Sequence, residues 1–255
     1  MDVVKYNSEA WDREVASENK WTVPLTHEEY LAAKKGEYTL LLTPTKNVPK
    51  KWLGKIKGKK VLCLGGGGGQ QSAVLAALGA DVTVFDASAA QLAQDKKIAK
   101  RENINIDLEQ GDMRDLSELD DGQFDMIFHP VSNCFVEEID QVWKECFRVL
   151  KRGGILLSGF ANPLRYLFDC TAEKEEGLVV RYKLPYSDLK QLTEQELKVL
   201  TEKGQPLEFG HSLEAQIGGQ LDAGFVLAGL YEDISDGDLL DEYTPTYIAT
   251  RAFKL

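Results

Sequence analysis

Three kinds of residue in this chain are placed to do chemistry. Gly65, Gly66, Gly67, Gly68 and Gly69 run consecutively and are followed by Gln70 and Gln71. Without Cβ atoms such a run turns tightly and brings bare backbone N–H groups up to a ligand. Asp86 follows Gly65 by 21 residues, the separation at which a second-strand carboxylate meets the hydroxyls of a ribose. His129 precedes Pro130, with Asn133 just beyond. An imidazole at such a turn is the side chain best matched to proton removal near neutral pH. The chemistry implied is the binding of a nucleotide-type ligand with a proton acceptor beside it. A glycine run alone reads equally well as a flexible turn, so the flanking elements decide.

Those elements form a strand–turn–helix–strand unit. Residues 61–64 are a short apolar run that enters the glycines, 70–78 read as a helix ended by Gly79, and 81–86 as a β-branched strand closing on Asp86. This is the nucleotide half of a parallel α/β fold. Ser88 with Gln91 makes a capping box that starts a helix to about residue 100. Residues 104–108 alternate as a third strand, and 124–128 form a fourth that ends beside His129. Ligands of such sheets sit at the carboxyl ends of the strands, which places His129 and Asn133 at the site. Ile139, Val142, Trp143, Cys146, Phe147 and Leu150 recur at helical spacing, and a fifth strand follows over 155–160. Residues 213–224 read as a helix, and 225–232 and 247–253 as two last strands.

The glycines fit G-x-G-x-G as Gly65, Gly67 and Gly69, whereas the dinucleotide pattern needs a third glycine where Gln70 or Gln71 stands. No lysine follows as in a phosphate-binding P-loop. The run resembles the first motif of the class I S-adenosylmethionine (SAM) dependent methyltransferases. Gly111-Asp112-Met113 and the stretch from Phe147 to Gly154 resemble two later motifs, in order, so the likeness covers residues 58–160. The family often has an acid where this chain has Cys63. The whole chain also resembles a bacterial group of methyltransferases with no assigned substrate. The resemblance implies a Rossmann-like α/β fold, a seven-stranded mixed sheet of order 3-2-1-4-5-7-6 with helices on both faces. It implies SAM as cofactor and S-adenosyl-L-homocysteine as product, bound by Gly65, Gly66, Gly67, Gly69 and Gln70, by Asp86 and Ala87, by Asp112 and Met113, and by His129. Asp112 would accept from the adenine amino group, and a thioether such as Met113 suits a ring face. His129 and Asn133 would lie near the transferred methyl. The Asn/Asp-Pro-Pro-Tyr/Phe pattern of relatives that methylate bases or protein glutamine is replaced here by His129-Pro130-Val131-Ser132.

Two segments lie outside that core. Residues 1–57 precede the first strand and carry Trp11, Trp21 and Trp52. Thr26 and Glu29 form a capping box for a helix to Gly36, and Pro49 opens a short helix with Trp52 and Leu53. The segment reads as a cap on the core, as a lid over the pocket, or as both, with Trp21 and Tyr38 as its substrate-facing residues. The second segment, about 161–213, is inserted in the SAM-binding domain of residues 58–255. Residues 178–186 and 207–213 read as two paired strands, with a surface helix from 187 or 188 to 200. In the family such a cover lies over the substrate, which makes Tyr182, Tyr186 and His211 catalytic candidates beside His129 and Asn133.

Composition narrows the partners. The chain has 255 residues with 30 Lys and Arg against 41 Asp and Glu, a net charge of −11. An acidic chain is a poor binder of nucleic acid or of an anionic membrane. Cys63, Cys134, Cys146 and Cys170 lack metal-ligand spacing and the three histidines are scattered, so no metal site is expected. No apolar run is long enough to span a bilayer and no signal-peptide core opens the chain. The expectation is a soluble cytoplasmic enzyme, a monomer or homodimer, that methylates a small molecule. The alternatives are methylation of RNA or protein, signalled by a basic face built from Lys46, Lys50, Lys51, Arg165 and Arg181, or a catalytically silent SAM binder.

Overall fold

The computed structural model describes residues 1–168, 177–235 and 237–255; Cys170 and positions 169–176 of the expected cover lie outside the described residues. Strand β1, Lys60–Leu64, is buried on both faces because its side chains alternate between two apolar layers. Val61 and Cys63 join one layer, Leu62 and Leu64 the other. The same alternation runs through β2 (Asp81–Asp86), β4 (Phe124–His129) and β5 (Leu150–Ala161). With β3 (Asp107–Gln110), and with β8 (Phe225–Asp233) and β9 (Tyr247–Lys254), they form one sheet of order β3-β2-β1-β4-β5-β9-β8. Counted within this sheet alone the order is the expected 3-2-1-4-5-7-6. β9 is antiparallel to both β5 and β8, and the other pairings are parallel.

Helices cover both faces. Val74 and Leu75 of α4 (Gln71–Ala77) and Leu92 of α5 (Ala89–Glu102) pack in the layer of Val61 and Cys63. On the other face α6 (Asp140–Val149) buries Val142, Trp143, Cys146 and Val149 against Leu62, Leu64 and Ile127. The region after the cover departs from a plain helix. It forms a π-helical turn, Glu214–Gly218, and then the short α9, Gly219–Asp222. A Cβ on Gly219 would sit 2.7 Å from Cδ1 of Trp143, whose indole N–H donates to the carbonyl of Ala215 at 2.9 Å.

The extension is more deeply integrated than its sequence suggests. α1 (Val3–Ala16) buries Val3, Asn7 and Ala10, a helical spacing hidden by the asparagine in its middle. Asn7 pairs with the backbone of Leu207 in both directions and donates to the carbonyl of Phe135 at 2.8 Å. α2 (His27–Lys34) starts at the expected Thr26–Glu29 capping box, and α3 (Lys50–Leu53) carries Trp52. Ala33, Leu40, Leu42, Trp52 and Leu53 all belong to the layer on the α4 face, so this part of the extension is core. Tyr38, expected to face substrate, packs against that layer.

The third strand begins later than its apolar alternation suggests, because α5 ends on Asn103 in a left-handed conformation and residues 104–106 carry the chain back to the sheet. The expected long cover strands shrink to two residues each, β6 (Tyr186–Ser187) and β7 (Phe209–Gly210). Pro185 has no N–H to extend the ladder, and α7 (Asp188–Gln191) and α8 (Glu194–Glu202) take the chain away. The cover rests on α1 through Leu207 and Phe209, which cluster with Val3.

Candidate active site

A cavity of about 930 Å³ opens at the carboxyl ends of β1, β2 and β4 and runs on beneath the cover. At its first end the glycine loop is held from below. Gly65 has φ +58°, and a Cβ there would meet Oγ of Ser132 at 2.7 Å. Asp86 ends β2 and accepts from the backbone N–H of Gly67 at 3.0 Å and of Ser88 at 2.9 Å. Burial raises its pKa, and those two donors oppose the rise. Gly66, Ala87 and Asp112 also line the cavity. Met113 lies against Gly65. Asp112 is held in place by Arg114, whose Nη2 sits 2.7 Å and Nε 2.9 Å from its Oδ2.

Gln70 lines the cavity, but its amide is engaged elsewhere: Nε2 donates to the carbonyls of Lys20 at 2.9 Å and Val23 at 2.8 Å and so ties down the extension. Gly69 is turned from the cavity, with its carbonyl accepting from Leu25 N–H at 2.9 Å and its α-carbon facing Ile98 and Pro24. The capping box at Ser88 is only half formed: Ser88 Oγ accepts from Gln91 N–H at 3.1 Å, but the Gln91 side chain points at Gly68. Asp12 of α1 completes this corner, accepting from Ser88 Oγ at 2.6 Å and from Ala90 N–H at 3.0 Å.

Asp95 had no role in the sequence reading. It is fully buried, accepts from Gly68 N–H at 3.0 Å and from Ser72 Oγ, and so clamps the glycine loop to α4 and α5. The available signal was an acid on the apolar stripe Gln91, Leu92, Asp95, Ile98 of α5. Burial pushes its pKa up to about 7, against the pull of its Ser72 and Gly68 donors. The folded chain therefore holds a proton there between roughly pH 4, where an unfolded aspartate ionises, and pH 7. Its stabilising contribution is complete below that window and is lost as pH rises through it. Melting temperatures measured against pH should show a wild-type decline from pH 5 to 8, relative to Asp95→Asn; parallel profiles would refute the assignment.

His129 is corrected from base to positioning residue. Its ring is completely buried, does not line the cavity and stands edge-on to Trp143 at 6.0 Å. Burial lowers its pKa, opposed by its hydrogen bonds to Leu64 and Asn133. Both ring nitrogens face oxygens, Nδ1 the carbonyl of Leu64 at 2.7 Å and Nε2 the side-chain Oδ1 of Asn133 at 2.7 Å. Asn133, also buried, reaches Oε1 of Gln216 at 2.9 Å. His211 likewise turns inward, with Nε2 3.0 Å from the carbonyls of Asn133 and Val136. The three side chains brace the loop after β4 from behind. Strand alternation contains the signal: His129 is two residues beyond Ile127, which packs in the Trp143 layer. His129→Gln should lower SAM affinity and turnover together, by roughly 5- to 20-fold, the worth of one or two buried hydrogen bonds. Calorimetry and single-turnover rates on one preparation check this; a rate loss at full affinity would return His129 to the chemical step.

The second end of the cavity lies under the cover. Tyr182 and Tyr186 line it, together with Arg165, Tyr166, Phe168 and Tyr247. Asp188 and Glu208, to which the sequence reading attached no role, sit behind the rings and also reach the cavity. Trp21 lines the opposite wall, near the glycine loop.

The site suits an S-adenosyl group. Buried Oε1 atoms of Gln71 and Gln91 have no partner in the protein, and both side chains line the cavity beside the glycine loop. They are unsatisfied acceptors at the edge of a site where Asp86 and Asp112 add carboxylates. Among the described residues no cluster of side chains could hold a metal, and no helix is long and apolar enough to cross a membrane.

Comparisons with known proteins agree with this geometry. Residues 62–158 match the family described as Methyltransferase domain. A relative from Bacillus subtilis (strain 168), named Uncharacterized methyltransferase YbaJ, is 52% identical over 253 residues, 99% of each chain. Among solved structures, geranyl diphosphate C-methyltransferase from Streptomyces coelicolor A3(2), in complex with Mg2+, geranyl diphosphate and S-adenosyl-L-homocysteine, superposes with a TM-score of 0.63 at 14% identity, covering 100% of this chain and 99% of that one. An S-adenosylmethionine dependent methyltransferase from Mesorhizobium loti does so with a TM-score of 0.60 at 15% identity, over 80% of this chain and 94% of that one. At such identities the superpositions speak for the fold, and the Bacillus relative speaks for the family. The chain belongs to the methyltransferases.

Proposed function

We propose that this methyltransferase acts on a small-molecule acceptor enclosed between the loop after β4 and the inserted cover. One observation carries the reading: the cavity is continuous from Gly65, Asp86 and Asp112 to Tyr166, Tyr182 and Tyr186, walled by α1 and the cover. SAM, when bound, supplies a methyl group on a sulfonium that a nucleophile can take. The chain's part is to hold cofactor and acceptor in line and to exclude water, which supplies much of the acceleration of such displacements. Asp86, Asp112, Gln71 and Gln91 would hold the cofactor, with the glycine loop as its floor. His129, Asn133 and His211 keep the intervening loop in one position.

Four of the five basic residues that would mark a nucleic-acid face, Lys51 aside, are separately engaged. Lys46 contacts the carbonyl of Glu232, Lys50 donates to that of Gly36, Arg181 pairs with Glu196 and Arg165 lies on Tyr247. This supports a small acceptor over RNA. Methyl-labelled SAM incubated with the enzyme and a size-fractionated cell extract tests it. Label should enter the small-molecule fraction; label in RNA or protein would overturn the reading, and binding without any transfer would make the chain a silent SAM binder.

A further inference from the structure

We infer that the acceptor is an amine, received as an ammonium by the tyrosine corner of the cover and relieved of a proton by the Tyr186–Asp188 pair. The inference rests on the small-molecule reading and narrows it to one substrate class. Three rings form the corner: Tyr166 and Tyr186 are stacked at 5.3 Å and 18°, and Tyr182 stands edge-on to Tyr186 at 5.1 Å. Aromatic faces attract organic cations through the ring quadrupole, most strongly where water is excluded.

Hydrogen bonding sharpens the preference. Tyr166 donates its phenol proton to Oε2 of Glu208 at 2.8 Å, and Tyr186 donates to Oδ1 of Asp188 at 2.6 Å. A phenol has one proton, and once it is given to a carboxylate the oxygen meets a ligand with lone pairs. The corner therefore accepts hydrogen bonds from a ligand. It is also acidic: among the described residues neither Asp188 nor Glu208 has a cation at ion-pair distance. The nearby arginines are both engaged: Arg165 is turned to the hydroxyl and ring face of Tyr247, with Nε 3.8 Å from Asp238, and Arg181 lies over the Tyr182 ring, 4.9 Å from its centroid, while pairing with Glu196. A carboxylate or phenolate acceptor would be set against two acids, whereas an ammonium complements them.

The same pair frees the nucleophile. One ammonium proton passes to the Tyr186 oxygen while the phenol proton passes to Oδ1 of Asp188. The electrons of the broken N–H bond remain on nitrogen as the lone pair that attacks. Tyr186 ends neutral, Asp188 ends protonated and the amine ends neutral, so charge and protons balance. Asp188 is equipped for this: it is 5% exposed, Glu208 N–H fixes its other oxygen at 2.7 Å, and burial raises its pKa above the usual carboxylate range.

Calorimetry on the full chain loaded with S-adenosyl-L-homocysteine tests the class without requiring turnover. Failure to bind S-adenosyl-L-homocysteine would defeat the methyltransferase reading itself. Given that binding, benzyltrimethylammonium, a cation with no N–H to donate, is expected to bind, and phenylacetate, its anionic counterpart, to bind at least 10-fold more weakly. Glu208→Gln and Asp188→Asn should each weaken the cation about 10-fold while S-adenosyl-L-homocysteine affinity, the measure of folding, stays unchanged. Equal or tighter binding of phenylacetate, binding of neither probe, or indifference to both substitutions would overturn the inference. For the proton path, phenethylamine is compared with phenethyl alcohol as acceptor, with Tyr186→Phe as the second variant. The amine should be methylated faster, and Tyr186→Phe should displace the pH–rate profile to higher pH; preference for the alcohol would overturn the amine assignment and an unmoved profile the role of Tyr186.

Discussion

Replacing Asp86 by alanine is expected to weaken SAM binding about 30-fold, on the order of 2 kcal/mol, the worth of a charge-assisted hydrogen-bond pair to a ligand. The structure adds a second reason for the loss. Both carboxylate oxygens already accept from the backbone, Oδ2 from Gly67 and Oδ1 from Ser88, so Asp86 shapes the turn that meets the ligand as well as facing the cavity. Alanine leaves both N–H groups without that acceptor. Asparagine keeps one oxygen and should fall between alanine and wild type. Titration calorimetry with SAM and with S-adenosyl-L-homocysteine measures the effect, and circular dichroism shows whether the variant is folded. A folded Asp86→Ala protein of wild-type affinity would refute the cofactor assignment.

The largest loss of stability is expected from Gly159→Ala. A Cβ on Gly159 would stand 2.0 Å from the carbonyl oxygen and 2.7 Å from the carbonyl carbon of Leu42. Backbone cannot swing aside as a side-chain tip does, so the extension must move off β5. Leu40 and Leu42 are each 1% exposed, and the Leu42 carbonyl accepts from Val131 N–H at 3.2 Å. One methyl group therefore dislodges two core leucines and pulls on the loop that separates the two ends of the cavity. Overpacking of this kind costs about 3 kcal/mol. In a chain of this size that is a fall of roughly 6 to 12 °C in melting temperature. Scanning calorimetry reads it directly. A shift of less than about 2 °C would mean that the extension yields freely and is not part of the core.

The local half of this protein was legible in its sequence. The apolar run into the glycines, the strand closing on Asp86 and the stripe of α6 are patterns within a dozen residues, and hydrophobic periodicity reports them because each element must bury one face. The order of the strands in the sheet came from the family resemblance of those motifs. Side-chain direction was not legible: the chemistry of histidine pointed His129 toward the methyl, whereas it shares a strand face with Ile127, which the structure packs in the Trp143 layer. What only the tertiary structure decided are contacts between residues far apart in the chain. Asn7 meets Leu207, Gln70 holds Lys20 and Val23, Asp95 reaches Ser72, and Tyr166 meets Glu208. Each is a polar side chain whose partner lies outside any periodic window. A glutamine beside a ligand loop has the same local pattern whether it binds the ligand or a neighbouring carbonyl. The choice is made by which backbone groups the folded chain leaves in need of a partner, and that is settled only when distant elements pack and exclude water.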